Sequence, residues 1–241
     1  VIIFNGDFMN EDYKEGFKLG IPIGIGYLCV SFAFGMMVKN ASLPVWMAFL
    51  ISATNMTSAG QFAGLNLIVL QASYAEMALT TLVINLRYAL MSLSLSQRLD
   101  EKMSTFERCI MAFGVTDEIF AVSLTRTKPI TLAYFMGILS PAFVGWTLGS
   151  VLGALFSSIL PASISNVMNI ALYGMFVAII LPAAKQDKKK RLAVVLATIC
   201  SCLMTYQSVI QISQGWMIIF VSVAVSAFMA FFFPIRKQEE M

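Results

Sequence analysis

Asp117 and Glu118 stand side by side inside an otherwise apolar stretch, 104–125. Two neighbouring carboxylates in a medium of low dielectric resist simultaneous ionisation. Such a pair can take up and release a proton during a transport cycle, or accept the ammonium group of a substrate. If 104–125 lies on a membrane surface instead, the pair is merely solvated. Asn85 and Arg87 fall in the middle of a second apolar stretch, 75–96. An arginine at that depth costs about 2.5–3.5 kcal/mol on insertion scales, so it must face a partner or a wet cavity. Asp117 or Glu118 is the natural counter-charge. The contact is then a tie between helices, or a tie that also meets an anion. A third stretch, 44–71, is broken by Thr54-Asn55-Met56-Thr57-Ser58-Ala59-Gly60-Gln61. A half-helix starting near Ser58 would present the free amides of its first turn to a carboxylate, and Gln61 would add a donor and an acceptor. The same residues also suit a polar patch that joins helices by hydrogen bonds.

Other chemistries lack their residues. Histidine is absent, which removes the commonest metal ligand and the commonest proton carrier near neutral pH. Proton coupling must then use carboxylates. Cys29, Cys109, Cys200 and Cys202 lie in or beside apolar runs. Cys200 and Cys202 lack the spacing of a zinc or redox pair, and all four read as small apolar packing residues. There is no phosphate-binding Walker sequence, dinucleotide glycine fingerprint or histidine metal motif. The expectation is a protein that is not an enzyme, has no cofactor or metal, and has no nucleic-acid partner.

The elements that must position these residues are membrane helices. The 241 residues are 59% hydrophobic and 12% charged, against about 25% charged in a soluble domain. Uninterrupted apolar runs cover 17–38, 75–96, 131–155, 166–184, 192–211 and 215–234, each near the roughly 20 residues of one crossing. The segments 44–71 and 104–125 are apolar but interrupted, the second at Gly114-Val115-Thr116-Asp117-Glu118. Small polar residues with glycine suit a broken or re-entrant helix that faces the protein interior. The fold class is therefore all-α: a polytopic transmembrane bundle of six full spans plus two broken or re-entrant segments, or eight spans if both cross. With six, and both termini cytoplasmic, 14 of the 16 Lys and Arg residues fall inside, as the positive-inside rule favours. Residues 1–15 form a polar, acidic cytoplasmic segment with no cleavable-signal pattern. Residues 16–234 are one transmembrane domain, and 235–241 a cytoplasmic tail. Gly20-Ile21-Pro22 with Leu43-Pro44 is echoed by Gly137 to Pro141 with Leu160-Pro161, a weak internal repeat of the kind transporters show. The glycines of the first span read as close helix packing or as a flexible helix lining a path. Pro22 reads as a first-turn residue. Tyr206, Gln207 and Gln211 read as packing hydrogen-bond groups.

Taken together and in this order, Gly20-Ile21-Pro22 through Phe34-Gly35, Ser58-Ala59-Gly60-Gln61-Phe62, Asn85-Leu86-Arg87-Tyr88 and Thr116-Asp117-Glu118 resemble the AzlC family of branched-chain amino-acid permeases, over about residues 15–234. Tyr88 stands where many relatives carry histidine, so a mechanism that needs that histidine does not carry over. The resemblance implies export of leucine, isoleucine, valine and methionine across a bacterial cytoplasmic membrane. It also implies a partner, a small membrane subunit of the AzlD type. It does not assign the substrate contacts. Polarity and helix breaks place these at Thr57, Ser58, Gly60, Gln61, Asn85 and Arg87, with Asp117 and Glu118 for proton coupling or ammonium binding. The partners expected are thus an amino-acid substrate, the small subunit and lipids, and a homo-oligomer is compatible. A channel-like facilitator and a non-transporting scaffold for the small subunit are the alternative readings.

Overall fold

The computed structural model describes residues 6–157, 177, 180–181, 184–206 and 212–233. Most of the 166–184 run, Leu160-Pro161, Gln207, Gln211 and the 235–241 tail lie outside them. The described helices are α1 (Gly6–Asn40), α2 (Val45–Thr54), α3 (Ala59–Val69), α4 (Tyr74–Ser96), α5 (Thr105–Phe113), α6 (Asp117–Leu124), α7 (Leu132–Phe156), α8 (Lys188–Tyr206) and α9 (Gln214–Phe232). The fold is all-α; the one β feature among the described residues is an isolated bridge between Leu99 and Ile130. Among the described residues, four helices are long and apolar enough to cross a membrane: Glu11–Asn40 within α1, then α4, α7 and α9. On α4 Leu79, Leu82, Leu86, Leu90 and Leu93 form an exposed stripe, which suits a lipid or partner surface rather than water. The interrupted segments each form two short helices, of 10 and 11 residues (α2, α3) and of 9 and 8 residues (α5, α6).

The chain forms two compact units. The first comprises Val1–Phe62 and Ile84–Asn169. Its spine is the pair α1–α7. Gly16 lies against Tyr134, Gly24 against Pro141 and Gly35 against Ser150, so positions advance together and the two helices run parallel. Gly137, Gly145 and Gly149 meet the α1 backbone in return. Small residues on both faces let the backbones touch. Packing is therefore what Gly20, Gly24 and Gly35 do, while Gly26 faces open space.

Both helices carry an internal proline. Pro22 is well inside α1 rather than in its first turn, because the polar segment before it is already helical from Gly6. Pro141 has no N–H for the Gly137 carbonyl. The Ser140 hydroxyl donates to that carbonyl instead, at 3.3 Å.

A buried ion pair closes one end of this unit. Arg126 contacts the Asp12 carboxylate, and its guanidinium stacks 4.2 Å from the Tyr134 ring centroid. Thr131 donates to the other Asp12 oxygen at 2.5 Å and also caps α7 by accepting the Tyr134 N–H.

The second unit comprises Ala63–Val83 and Ile170–Met241. There α8 and α9 pack together. α8 opens with Lys188-Lys189-Lys190-Arg191, which shortens its apolar length. Aromatic pairs Trp216–Phe220 and Phe228–Phe232 run along α9.

Candidate functional site

The first unit holds three polar groups, each built at a helix break. The α2–α3 break arises because Asn55, Thr57 and Ser58 offer the backbone local alternatives to helix. The Thr57 hydroxyl donates to Asn55 Oδ1, and Ser58 takes φ +30, in the left-handed region that a serine rarely visits. α3 then begins at Ala59. Its first turn is partly committed, since the Gly60 N–H goes to the Thr57 carbonyl at 2.8 Å. Gly60 is needed here: a Cβ would sit 2.6 Å from Thr57 Oγ1 and 2.8 Å from Asn85 Oδ1. The break and the middle of α4 therefore touch. Ser58 Oγ and Asn85 Oδ1 are buried with no hydrogen-bond partner among the described residues.

Gln61 faces the other way. It is 1% exposed, and both ends of its amide are engaged. Trp146 Nε1–H donates to Oε1 at 3.0 Å, and Nε2 donates to Ser52 Oγ at 2.7 Å. Ser52 donates to Ser150 Oγ at 2.7 Å, and Ser150 donates to the Trp146 carbonyl. This ring binds α2 and α3 to α7. Its members Ser52, Trp146 and Ser150 are not singled out by the sequence, where each reads as an ordinary span residue.

The α5–α6 break has its own caps. Ser104 and Glu107 form a capping box on α5, Gly114 ends that helix, and Thr116 caps α6 by accepting the Ile119 N–H. Asp117 and Glu118 therefore stand in the first turn of α6 rather than in the break, where carboxylates suit the positive helix end. The two diverge. Asp117 meets Arg87, with Nη1 to Oδ2 2.9 Å. Arg87 also donates through Nη2 to the Tyr88 hydroxyl at 2.9 Å, and its Nε is buried without a partner among the described residues. Glu118 meets Tyr27 of α1. The Tyr27 hydroxyl lies 2.5 Å from Glu118 Oε2 and 2.6 Å from Thr116 Oγ1. With one proton it donates to the carboxylate and accepts from the threonine. Tyr27 also packs edge-on against Trp146, with ring centroids 5.3 Å apart.

The site residues named from sequence thus separate by environment. Thr57, Ser58, Gly60 and Asn85 adjoin one another, and Arg87 and Asp117 pair. Gln61 belongs to a closed packing network, and Glu118 to a contact with α1. Ser58 Oγ and Asn85 Oδ1 at the break, and Arg87 Nε beside the Asp117 contact, are the polar atoms here with hydrogen-bonding capacity unused among the described residues. Among the described residues no group of histidine, cysteine and carboxylates could hold a metal ion.

Residues 22–160 match the family model described as AzlC protein. The chain is 27% identical over 150 residues to the inner membrane protein YgaZ of Escherichia coli, covering 61% of each chain. It is 27% identical over 179 residues to a membrane protein of Archaeoglobus fulgidus, covering 72% of this chain and 76% of the other. It is 23% identical over 187 residues to the branched-chain amino acid transport protein AzlC of Bacillus subtilis, covering 73% of this chain and 70% of the other. The match thus spans about three fifths of the Escherichia coli protein. No solved structure matches the chain. The apolar helices, the family model and the membrane relatives agree, and the chain belongs to the AzlC family as a multi-pass membrane protein.

Proposed function

We propose that the chain is a secondary transporter that exports branched-chain and related hydrophobic amino acids (leucine, isoleucine, valine, methionine) across the bacterial cytoplasmic membrane in exchange for protons. One observation carries the reading. Ser58 Oγ, Asn85 Oδ1 and Arg87 Nε are buried polar atoms without partners among the described residues, the first two at the α2–α3 break and the third on the arginine that pairs with Asp117. Each such atom costs about 1–3 kcal/mol if left unmet, a cost that a bound zwitterion removes. The substrate carboxylate meets the Ser58 hydroxyl and Arg87. Its ammonium donates to Asn85 Oδ1 and Asp117. Gln61 holds α3 in place rather than touching substrate. A single methylene changes apolar binding by only about 1–3 kcal/mol, so one pocket serves several aliphatic side chains. The name of the Bacillus subtilis relative supports this substrate class.

The same proposal includes the topology. Residues 16–234 are the transmembrane domain, with 1–15 and 235–241 in the cytoplasm. Parallel α1 and α7 need an odd number of crossings between them. One crossing by α4 satisfies this if 44–71 and 104–125 re-enter, as do three if both cross. The small AzlD-type subunit is the partner. The test is amino-acid efflux from cells lacking the native gene and loaded with leucine- or methionine-containing dipeptides, with the chain alone, with the small subunit, and with Arg87→Ala. Saturable, proton-dependent efflux that Arg87→Ala abolishes at equal expression supports the reading. Unchanged efflux, or fast flux down the gradient without proton dependence, sinks it.

A further inference from the structure

The second unit contains an acidic group that the substrate site does not use. Glu76, in the first turn of α4, is 6% exposed, and none of the ion pairs among the described residues involves it. Its own N–H goes to Ser73 Oγ at 3.2 Å. Its carboxylate accepts a hydrogen bond from Ser213, the residue that precedes α9. Ser213 does not cap that helix with its side chain, so the first-turn amides of α9 are left to stabilise an anion beside them. One turn further along α4, Thr80 is fully buried, and its hydroxyl has no partner among the described residues. Both oxygens converge on one glycine. A Cβ on Gly215 would lie 2.6 Å from Glu76 Oε1 and 2.7 Å from Thr80 Oγ1.

We infer that Glu76, with Thr80 and Ser213, forms a proton-exchange site. The two protonation states call on different partners. The ionised carboxylate takes the Ser213 O–H and the positive end of α9. The neutral acid gains an O–H that needs an acceptor, and the unpartnered Thr80 Oγ1, which flanks the same Gly215 space, is the one a side-chain rotation brings into reach. Among the described residues, the groups facing Glu76 are Ser73 before α4, Thr80 on α4, Ser213 before α9 and Gly215 on α9, and none of these is charged. A buried carboxylate in a membrane helix with no counter-cation among the described residues is a functional group by default. Its place in the cycle rests on the transport reading: a proton taken here from water and released on the other side is the exchange partner of the exported amino acid. Gly215 keeps the space between the two oxygens open.

The test uses the full chain reconstituted in lipid vesicles and treated with dicyclohexylcarbodiimide. This reagent adds to protonated carboxylic acids in apolar surroundings and leaves a stable N-acylurea, which peptide mass spectrometry locates. Glu76 should be labelled, with a yield that falls as pH rises and does not change when sodium replaces potassium. Thr80→Val, which removes the acceptor, should move that profile to lower pH. No label on Glu76, a yield flat with pH, or protection by sodium overturns the site, the last by making it a sodium site. In a second arm, Glu76→Gln should remove the pH dependence of leucine efflux. An unaltered pH dependence overturns its coupling role. Absence of leucine efflux from the wild type would instead count against the transport reading, because the labelling needs no transport.

Discussion

Arg87 reaches Asp117 through Nη1 at 2.9 Å while its Nε, on the same guanidinium, faces no acceptor among the described residues. Nη1 and Nη2 are engaged, by Asp117 and by the Tyr88 hydroxyl, and Nε is the donor left over. The two side chains are 37% and 29% exposed, so their pairing contributes about 1 kcal/mol or less to stability where water reaches it. Arg87→Ala and Asp117→Asn should therefore leave thermal stability in detergent nearly unchanged and abolish efflux separately. The double variant should be as inactive as either single one. Recovery of efflux in the double variant would mean the pair is only a tie between helices.

The polar residues at the α2–α3 break should divide by readout. Ser58→Ala and Asn85→Ala remove atoms that have no partner, so the folded protein loses little while the KM for leucine rises. Gln61→Leu strands the Trp146 N–H and breaks the Ser52 contact. It should destabilise by about 1–3 kcal/mol and leave KM near its wild-type value in the fraction that remains folded. Thermal shift and initial efflux rates on the same preparations separate the two outcomes. A raised KM in Gln61→Leu with unchanged stability would contradict the assignment.

The substrate-site pairing is legible in the sequence to the extent that charge alone dictates it. A lone arginine in an apolar span demands a counter-charge, and Asp117 with Glu118 is the acidic pair that stands in an apolar stretch. Which of the two pairs depends on where α6 begins. Successive helical residues point about 100° apart, so fixing Asp117 on Arg87 sends Glu118 toward Tyr27. The Gln61–Trp146 contact joins residues 85 positions apart, and no local pattern encodes it. Glu76 sits near the start of a span, where an acid reads as interfacial. Its burial depends on α9, more than 130 residues later in the chain. The helices themselves follow from apolar length, and the two breaks from their polar residues and glycine.

Asp12 and Arg126 illustrate how little loop charge reveals by itself, since Arg126 reads simply as one of many cytoplasmic basic residues. Its side chain is 3% exposed, and that of Asp12 8%. Removing one member leaves the other charge buried, which costs about 3–5 kcal/mol. Asp12→Asn should lower the melting temperature far more than Asp100→Asn, whose carboxylate accepts only an exposed Lys102 N–H. The loss should be similar at low and high salt, because a buried pair is screened little. Equal melting temperatures for the two variants would show that the pair does not anchor α1.

The α1–α7 seam gives the sharpest steric contrast, because two glycines two residues apart on one helix meet opposite surroundings. A Cβ on Gly24 would lie 2.5 Å from the Pro141 carbonyl oxygen, which is backbone and cannot rotate away, whereas nothing lies within 4 Å of one on Gly26. Gly24→Ala must push the helices apart and should cost about 1–3 kcal/mol, as overpacking does. Gly26→Ala meets no resistance and removes the backbone freedom of glycine, so it should stabilise by about 0.5–1 kcal/mol. The measurement is the fraction that remains monodisperse after stepwise heating. Gly24→Ala should aggregate earlier than the wild type and Gly26→Ala later. If both behave alike, the close parallel contact of α1 with α7 is not what holds this unit together.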